Sequence, residues 1–178
     1  MYPYLRLVKE FIKFRNAPAL PYDGTHVSQH MCLPWDIDPF MELNNGRTLT
    51  LLDLGRLTMA KRAGMVAALR RERWGMTMAG VYVRYRRRIK MFERFEIRSR
   101  AIGTDDKFIY LEQTMWKRNG ECANHAVYRS AVTDKNGIVP PAKVIATFAP
   151  EAASLDLPEW VQQWIEAEKA RPWPPMQD

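Results

Sequence analysis

The first fifteen residues place Tyr4, Leu5, Val8, Phe11 and Ile12 at helical spacing with charges between them, the pattern of a short amphipathic helix. Pro18, Pro21, Asp23 and Gly24 follow as a connector. His26 to Trp35 reads as a strand with Pro34 near its end, and the polar, turn-rich residues 36–46 lead into a helix from about Arg47 to Ala63. Asn44 or Asn45 is the expected N-cap, because an amide side chain accepts from the free donors of a first helical turn. Leu49, Leu52, Leu57 and Ala60 give that helix a continuous apolar stripe, with Leu54 and Met59 beside it, so most of its circumference is predicted to be buried. Gly64 ends or bends it, and Val66 to Arg73 forms a shorter basic helix.

The period then changes to two. Val81, Val83 and Tyr85 alternate with Tyr82, Arg84 and Arg86, and Phe95, Ile97 and Ser99 with Glu96, Arg98 and Arg100. Turn signals at Asp105-Asp106-Lys107 and Arg118-Asn119-Gly120-Glu121 have hairpin spacing. Four long antiparallel strands are predicted, at about 77–90, 92–104, 107–118 and 121–134, in a meander closed by Asp134 to Gly137. A helix from Glu159 to Lys169 precedes a Pro/Trp-rich terminus. One face of such a sheet must be covered, and the long apolar helix is the element that can cover it. The expected fold is α+β: an antiparallel sheet wrapped around one central helix, the hotdog architecture. The chain divides as 1–24, helix and connector; 25–150, hotdog domain; and 151–178, helix and tail.

At 178 residues, 47% hydrophobic and 26% charged, the composition is that of a globular domain. No run approaches the roughly 18 uncharged apolar residues of a spanning helix. Arg6, Lys9, Glu10 and Lys13 interrupt the first helix, unlike the apolar core of a signal peptide. Cys32 and Cys122 do not make a disulfide scaffold, so a reduced cytoplasmic setting is expected. The net charge of +7 suits an acidic partner (nucleic acid, anionic lipid, a phosphorylated small molecule or an acidic carrier protein) or serves solubility alone. The sequence shows no nucleic-acid recognition motif, glycine-rich phosphate loop, Gly-x-Ser-x-Gly or metal-ligand spacing around His26, His30 or His125.

Trp35-Asp36-Ile37-Asp38, Leu43-Asn44-Asn45, Leu49 and Asp53-Leu54-Gly55-Arg56, with Arg84-Tyr85-Arg86 on a later strand, form an ordered set. The set resembles the acyl-CoA and acyl-carrier thioesterases of the hydroxybenzoyl-CoA thioesterase-like hotdog superfamily, and more narrowly its thioesterase-superfamily-member-6 branch. The likeness extends over roughly residues 26 to 148. It departs where many relatives carry His and Tyr in the loop: here those positions are Glu42 and Thr48.

This resemblance implies hydrolysis of an acyl thioester of coenzyme A or acyl carrier protein, with no metal or bound cofactor. It also implies a homodimer or tetramer whose sites lie between subunits. Such hydrolysis needs a carboxylate to activate water or attack the carbonyl, and donors for the oxyanion. Asp38 matches the superfamily's loop carboxylate, and Glu42 is a second carboxylate able to replace it. The backbone amides of Asn45 and Gly46 are the expected oxyanion donors at the helix N-terminus, with the Asn44 and Asn45 side chains orienting water or the acyl group. Asp36, Asp38 and the asparagines equally suit capping and turn shaping. Asp53 and Arg56 suit a helix-face or subunit-interface pair. Arg84, Arg86, Arg88 and Lys90, on one face of a single strand over about 20 Å, suit the phosphates of coenzyme A, an acidic carrier, or a solvated sheet edge. Loss of the loop His and Tyr keeps a non-catalytic acyl-binding protein as the alternative.

Overall fold

Period-two alternation builds one antiparallel sheet from β1 (His26–Met31), β2 (Gly75–Tyr85), β3 (Arg94–Thr104), β4 (Ile109–Lys117), β5 (Cys122–Asp134) and the short β6 (Gly137–Val139). The computed structural model describes residues 2–172 and 174–175; within the Pro/Trp-rich terminus, residues 173 and 176–178 lie outside the described residues. Five helices accompany the sheet among the described residues: α1 (Tyr4–Lys13), α2 (Asn45–Arg62), α3 (Met65–Glu72), α4 (Pro141–Ala146) and α5 (Glu159–Lys169).

The strand order is β1-β3-β4-β5-β2, with β6 beside β5. A meander of four strands is therefore not what forms. Only β3, β4 and β5 follow one another across the sheet, while β2 crosses to pair with β5, Val83 opposite Ala126. The strand expected to run to residue 90 stops at Tyr85 because the Arg86 and Arg87 amides both donate to the Ala123 carbonyl, at 2.9 and 3.1 Å. The chain then turns inward to bury Ile89, whose carbonyl accepts the Leu43 amide at 2.8 Å. Likewise β1 ends at Met31, because Pro34 opens a 3-10 turn through Asp36. The strand β6 and helix α4 add to the expected elements, with Gly137 at φ +121° making the return that only glycine adopts readily.

Register shifts at Met78/Gly80, Ala101/Gly103 and Met115/Trp116 bend the sheet. On its inner face, Leu51, Leu52 and Leu54 of α2 are buried in one core with Phe95, Ile97 and Met115. Gly55 sets the depth of this packing: a Cβ there would lie 2.7 Å from Ser99 Oγ and 2.8 Å from Ile97 Cγ2. The buried Gln113 then bridges helix and sheet, donating to Leu52 O at 2.8 Å and Ser99 Oγ at 2.7 Å. This is the hotdog arrangement. On the outer face α5 buries Val161 and Ile165 against Ile102, Tyr110 and Val127. At the opposite edge α1 leans on β1, with Arg6 donating to Met31 O at 2.8 Å and Phe14 edge-on to His26 at 4.6 Å.

Candidate active site

The loop before α2 folds as a small hairpin, in which Ile37 bridges Leu43 and the Asp38 amide donates to Glu42 O at 2.9 Å. Beneath it Asp36 is fully buried, and its carboxylate takes Arg6 at 2.6 Å, Arg47 at 2.7 Å and the Leu33 amide at 3.0 Å. Burial pushes the Asp36 carboxyl up, but the bonds from Arg47, the Leu33 amide and Arg6 outweigh it and hold the group below the usual carboxylate range. Asp36 is thus the residue that shapes the loop.

Asn44 is the N-cap of α2: its side-chain oxygen accepts the Arg47 amide at 3.0 Å. That commits the oxygen that the sequence offered for orienting water. Thr48, where relatives have Tyr, is buried and donates its hydroxyl to Asn44 O at 3.2 Å. The amides of Asn45 and Gly46 meet no acceptor among the described residues. Two open donors at the positive end of an 18-residue helix are suited to a developing negative oxygen.

Two clefts flank this helix end. One, of about 220 Å³, is lined by Glu42, Asn45, Tyr85, Arg86, Arg87 and Arg88 among others. The Tyr85 hydroxyl donates across it to Asn45 O at 3.2 Å. Glu42 is half-buried, with Arg88 Nε 2.8 Å from its carboxylate. The other cleft, of about 420 Å³, is lined by Tyr2, Trp35, Asp36, Asn44, Arg47 and Thr50 among others. Asp38 lines neither; it is half-buried, and its Oδ1 accepts the Phe40 amide at 2.9 Å in a tight turn.

The basic residues do not form one strand face. Of the four, Arg84 alone lies within β2 and stands opposite His125 in the register, while Arg86 and Arg88 follow the strand and line the smaller cleft. Lys90 bridges Glu42 through the backbone and lies outside that lining. Its amide, not its side chain, takes the Glu93 carboxylate, at 2.9 Å. Arg87 and the Tyr85 hydroxyl are site features that the sequence reading passed over. Both stand in the Arg-Tyr-Arg-Arg-Arg run, where Tyr85 belongs to the ordered set that carries the resemblance but with no role attached to its hydroxyl, and Arg87 adds only charge.

Asp53 and Arg56 do pair on α2. Arg56 also donates to Gln113 Oε1 at 3.1 Å and lies over the Tyr128 ring at 4.0 Å, so the pair ties helix to sheet. Burial pushes the Asp53 carboxyl up, against the opposing pull of Arg56 and of the Tyr2 hydroxyl bonded to it.

An antiparallel sheet curled on one central helix places the chain among the hotdog proteins. A model of the thioesterase-like superfamily matches residues 32–165, and the chain belongs to that family. "Protein THEM6" of Xenopus laevis is 31% identical over 141 residues, which cover 79% of this chain and 67% of that one. Among solved structures, a DHNA-CoA thioesterase from Staphylococcus aureus superposes with a TM-score of 0.60 at 11% identity, over 82% of this chain and 91% of that one. A Lactobacillus plantarum structure, provisionally named an oleoyl thioesterase, reaches a TM-score of 0.65 at 12% identity, over 77% of this chain but only 55% of that longer one.

Proposed function

We propose that the chain hydrolyses an acyl thioester of coenzyme A or of an acyl carrier to the free acid and thiol. The observation that carries this is the pair of open amides, Asn45 and Gly46, at the head of α2 beside a cleft lined by Arg86 and Arg88. The thioester oxygen sits on those amides and gains charge as water adds to the carbonyl carbon. A loop carboxylate takes the proton from that water, and collapse of the tetrahedral intermediate expels the thiolate. Asp38 is the carboxylate that the family text supports, and Glu42 is the one that shares a cleft with Asn45. The guanidinium groups of Arg86 and Arg88 receive the phosphates of the thiol carrier. The reaction needs no metal or bound cofactor.

The working unit is a homodimer or a tetramer. The strand β2 ends the strand order, and Met78, Val81, Tyr82 and Tyr85 along it are exposed, which favours pairing with a second copy. Sedimentation as a monomer at micromolar concentration refutes that assembly. A cytoplasmic setting agrees with two free cysteines.

The deciding experiment follows thiol release from short, long and aromatic acyl-CoA substrates with Asp38→Asn and Glu42→Gln variants. Collapse in Asp38→Asn, with fold and assembly unchanged, supports Asp38 as the carboxylate; collapse in Glu42→Gln alone transfers the role. Survival in both moves it to Asp53, the half-buried carboxyl further along α2. Binding of a thioester analogue without turnover of CoA-linked or carrier-linked substrates overturns hydrolysis in favour of an acyl-binding protein.

A further inference from the structure

Helix α1 is docked off its own amphipathic axis. With about 3.6 residues per turn, Leu7, Phe11, Tyr4, Val8, Ile12 and Leu5 follow one another around one broad side, and Lys9, Lys13, Arg6 and Glu10 around the other. A helix of this pattern normally turns the middle of its apolar side to the core. Here the molecule is met by a flank instead. Arg6 and Glu10 point inward, Arg6 to Asp36 and Glu10 to 1% exposure, whereas Leu5 is 88% exposed, Tyr4 68%, Ile12 57% and Val8 52%. Lys9 and Lys13 border this outward stripe, and exposed Lys61 of α2 stands beside it, over the Phe11 ring at 4.6 Å. The acid that α1 carries, Glu10, is on the hidden side, so the outward face presents apolar side chains and positive charge together.

We propose that this face of α1 docks on an anionic lipid surface, with Tyr4, Leu5, Val8 and Ile12 entering the headgroup boundary and Lys9 and Lys13 meeting the lipid charge. The combination of an apolar stripe with lysines at its margin is what an interfacial helix requires. Charge complementarity favours lipid over a second copy, because two copies of a face bordered by lysines repel, in a chain that already carries +7. Position agrees. The helix leans on β1, at the opposite end of the strand order from β2, and so leaves the pairing edge clear. Among the described residues no helix is long and apolar enough to cross a membrane; the contact proposed for α1 is with the lipid surface. The proposal does not depend on the thioesterase reading.

The test is flotation of the full chain with phosphatidylcholine vesicles, with and without phosphatidylglycerol, across a range of salt. The wild type is expected to float with the phosphatidylglycerol vesicles at low salt and to be released as salt rises. Leu5→Glu combined with Ile12→Glu is expected to reduce the bound fraction about tenfold or more, and Lys9→Glu with Lys13→Glu to abolish the preference for anionic vesicles. Circular dichroism and thiol release from a soluble substrate stay at wild-type levels in both. A wild type that fails to float at low salt, or variants that float as well as it does, overturn the proposal. So does a Leu5→Glu, Ile12→Glu protein that sediments with a lower mass than the wild type, since that makes the stripe a contact between copies.

Discussion

The Asn44 side chain takes the Arg47 amide at 3.0 Å and leaves the two preceding amides, of Asn45 and Gly46, as the open donors of α2. In the proposed mechanism, capping and catalysis divide between adjacent residues: the side chain of one satisfies the helix, and the backbone amides of the next two receive the thioester oxygen. Asn44→Ala is expected to cost about 1 kcal/mol of stability. Asn44→Ser, which keeps an acceptor, restores stability and kcat together; urea titration and initial rates measure the two. A serine variant that is stable yet slow identifies Asn44 as a catalytic group.

Arg86 and Arg88 line the smaller cleft, whereas Arg84 stands on the sheet opposite His125. Replacing Arg86 or Arg88 with Ala is expected to raise KM for a coenzyme A thioester about tenfold, the scale of one charge-assisted contact. The same variants leave KM for the short N-acetylcysteamine thioester unchanged, because that substrate carries no phosphate. Arg84→Ala serves as the control and changes neither.

Asp36 is a buried anion shared by two cations. Asp36→Asn removes the buried negative charge that Arg6 and Arg47 share and is expected to cost about 3 kcal/mol, read from denaturant midpoints at neutral pH. Because the folded carboxyl titrates below its unfolded value, its stabilisation is complete above the unfolded value near pH 4 and is lost as pH falls through the lowered folded pKa. The stability gap between wild type and variant therefore closes in strong acid.

Under α1, Glu10 has both carboxylate oxygens without a hydrogen bond, and Lys9 Nζ is 3.8 Å away. Burial raises its pKa above 4.5, so its native state binds the extra proton and loses stability as pH rises through the raised value. Glu10→Met is expected to raise Tm by a few degrees at pH 8, with the gain shrinking as pH falls toward 4.5. The neighbouring histidines run the other way. Burial, helped by Arg62, lowers His26 to about 4, and burial with Arg6 lowers His30 to about 3. The unfolded rings take protons from about 6.5 downward, so both contributions are present above pH 6.5 and are lost as pH falls toward 4. Tm against pH in His26→Asn is expected to be flatter over that window.

The parts of this architecture that show in the chain are those governed by local chemistry. Helix α5 runs from Glu159 to Lys169 as its pattern requires, and Asn44 caps α2 because an amide before an apolar run has that function almost regardless of context. The alternation of Phe95, Ile97 and Ser99 against Glu96, Arg98 and Arg100 likewise needs only one wet face. Pairing is different. Nothing within β2 tells it to choose β5 over β3, because the pairing is made with residues far along the chain, Val83 opposite Ala126. The end of β2 is equally hidden, since three successive arginines continue a polar pattern past the point where the backbone turns away. Asp36 and Asp38 present the same turn chemistry two residues apart. Arg6, from a helix 30 positions earlier, decides that Asp36 is the buried one.

That decision joins three segments through one carboxylate. Arg6 comes from the first helix, Asp36 from the loop and Arg47 from the first turn of the central helix, so none of the three can settle without the others. Native-state hydrogen exchange should register them as a single opening unit. The Leu33 and Asn44 amides, and those of the later turns of α1, are expected to share one protection factor and to lose it together when Asp36 is replaced.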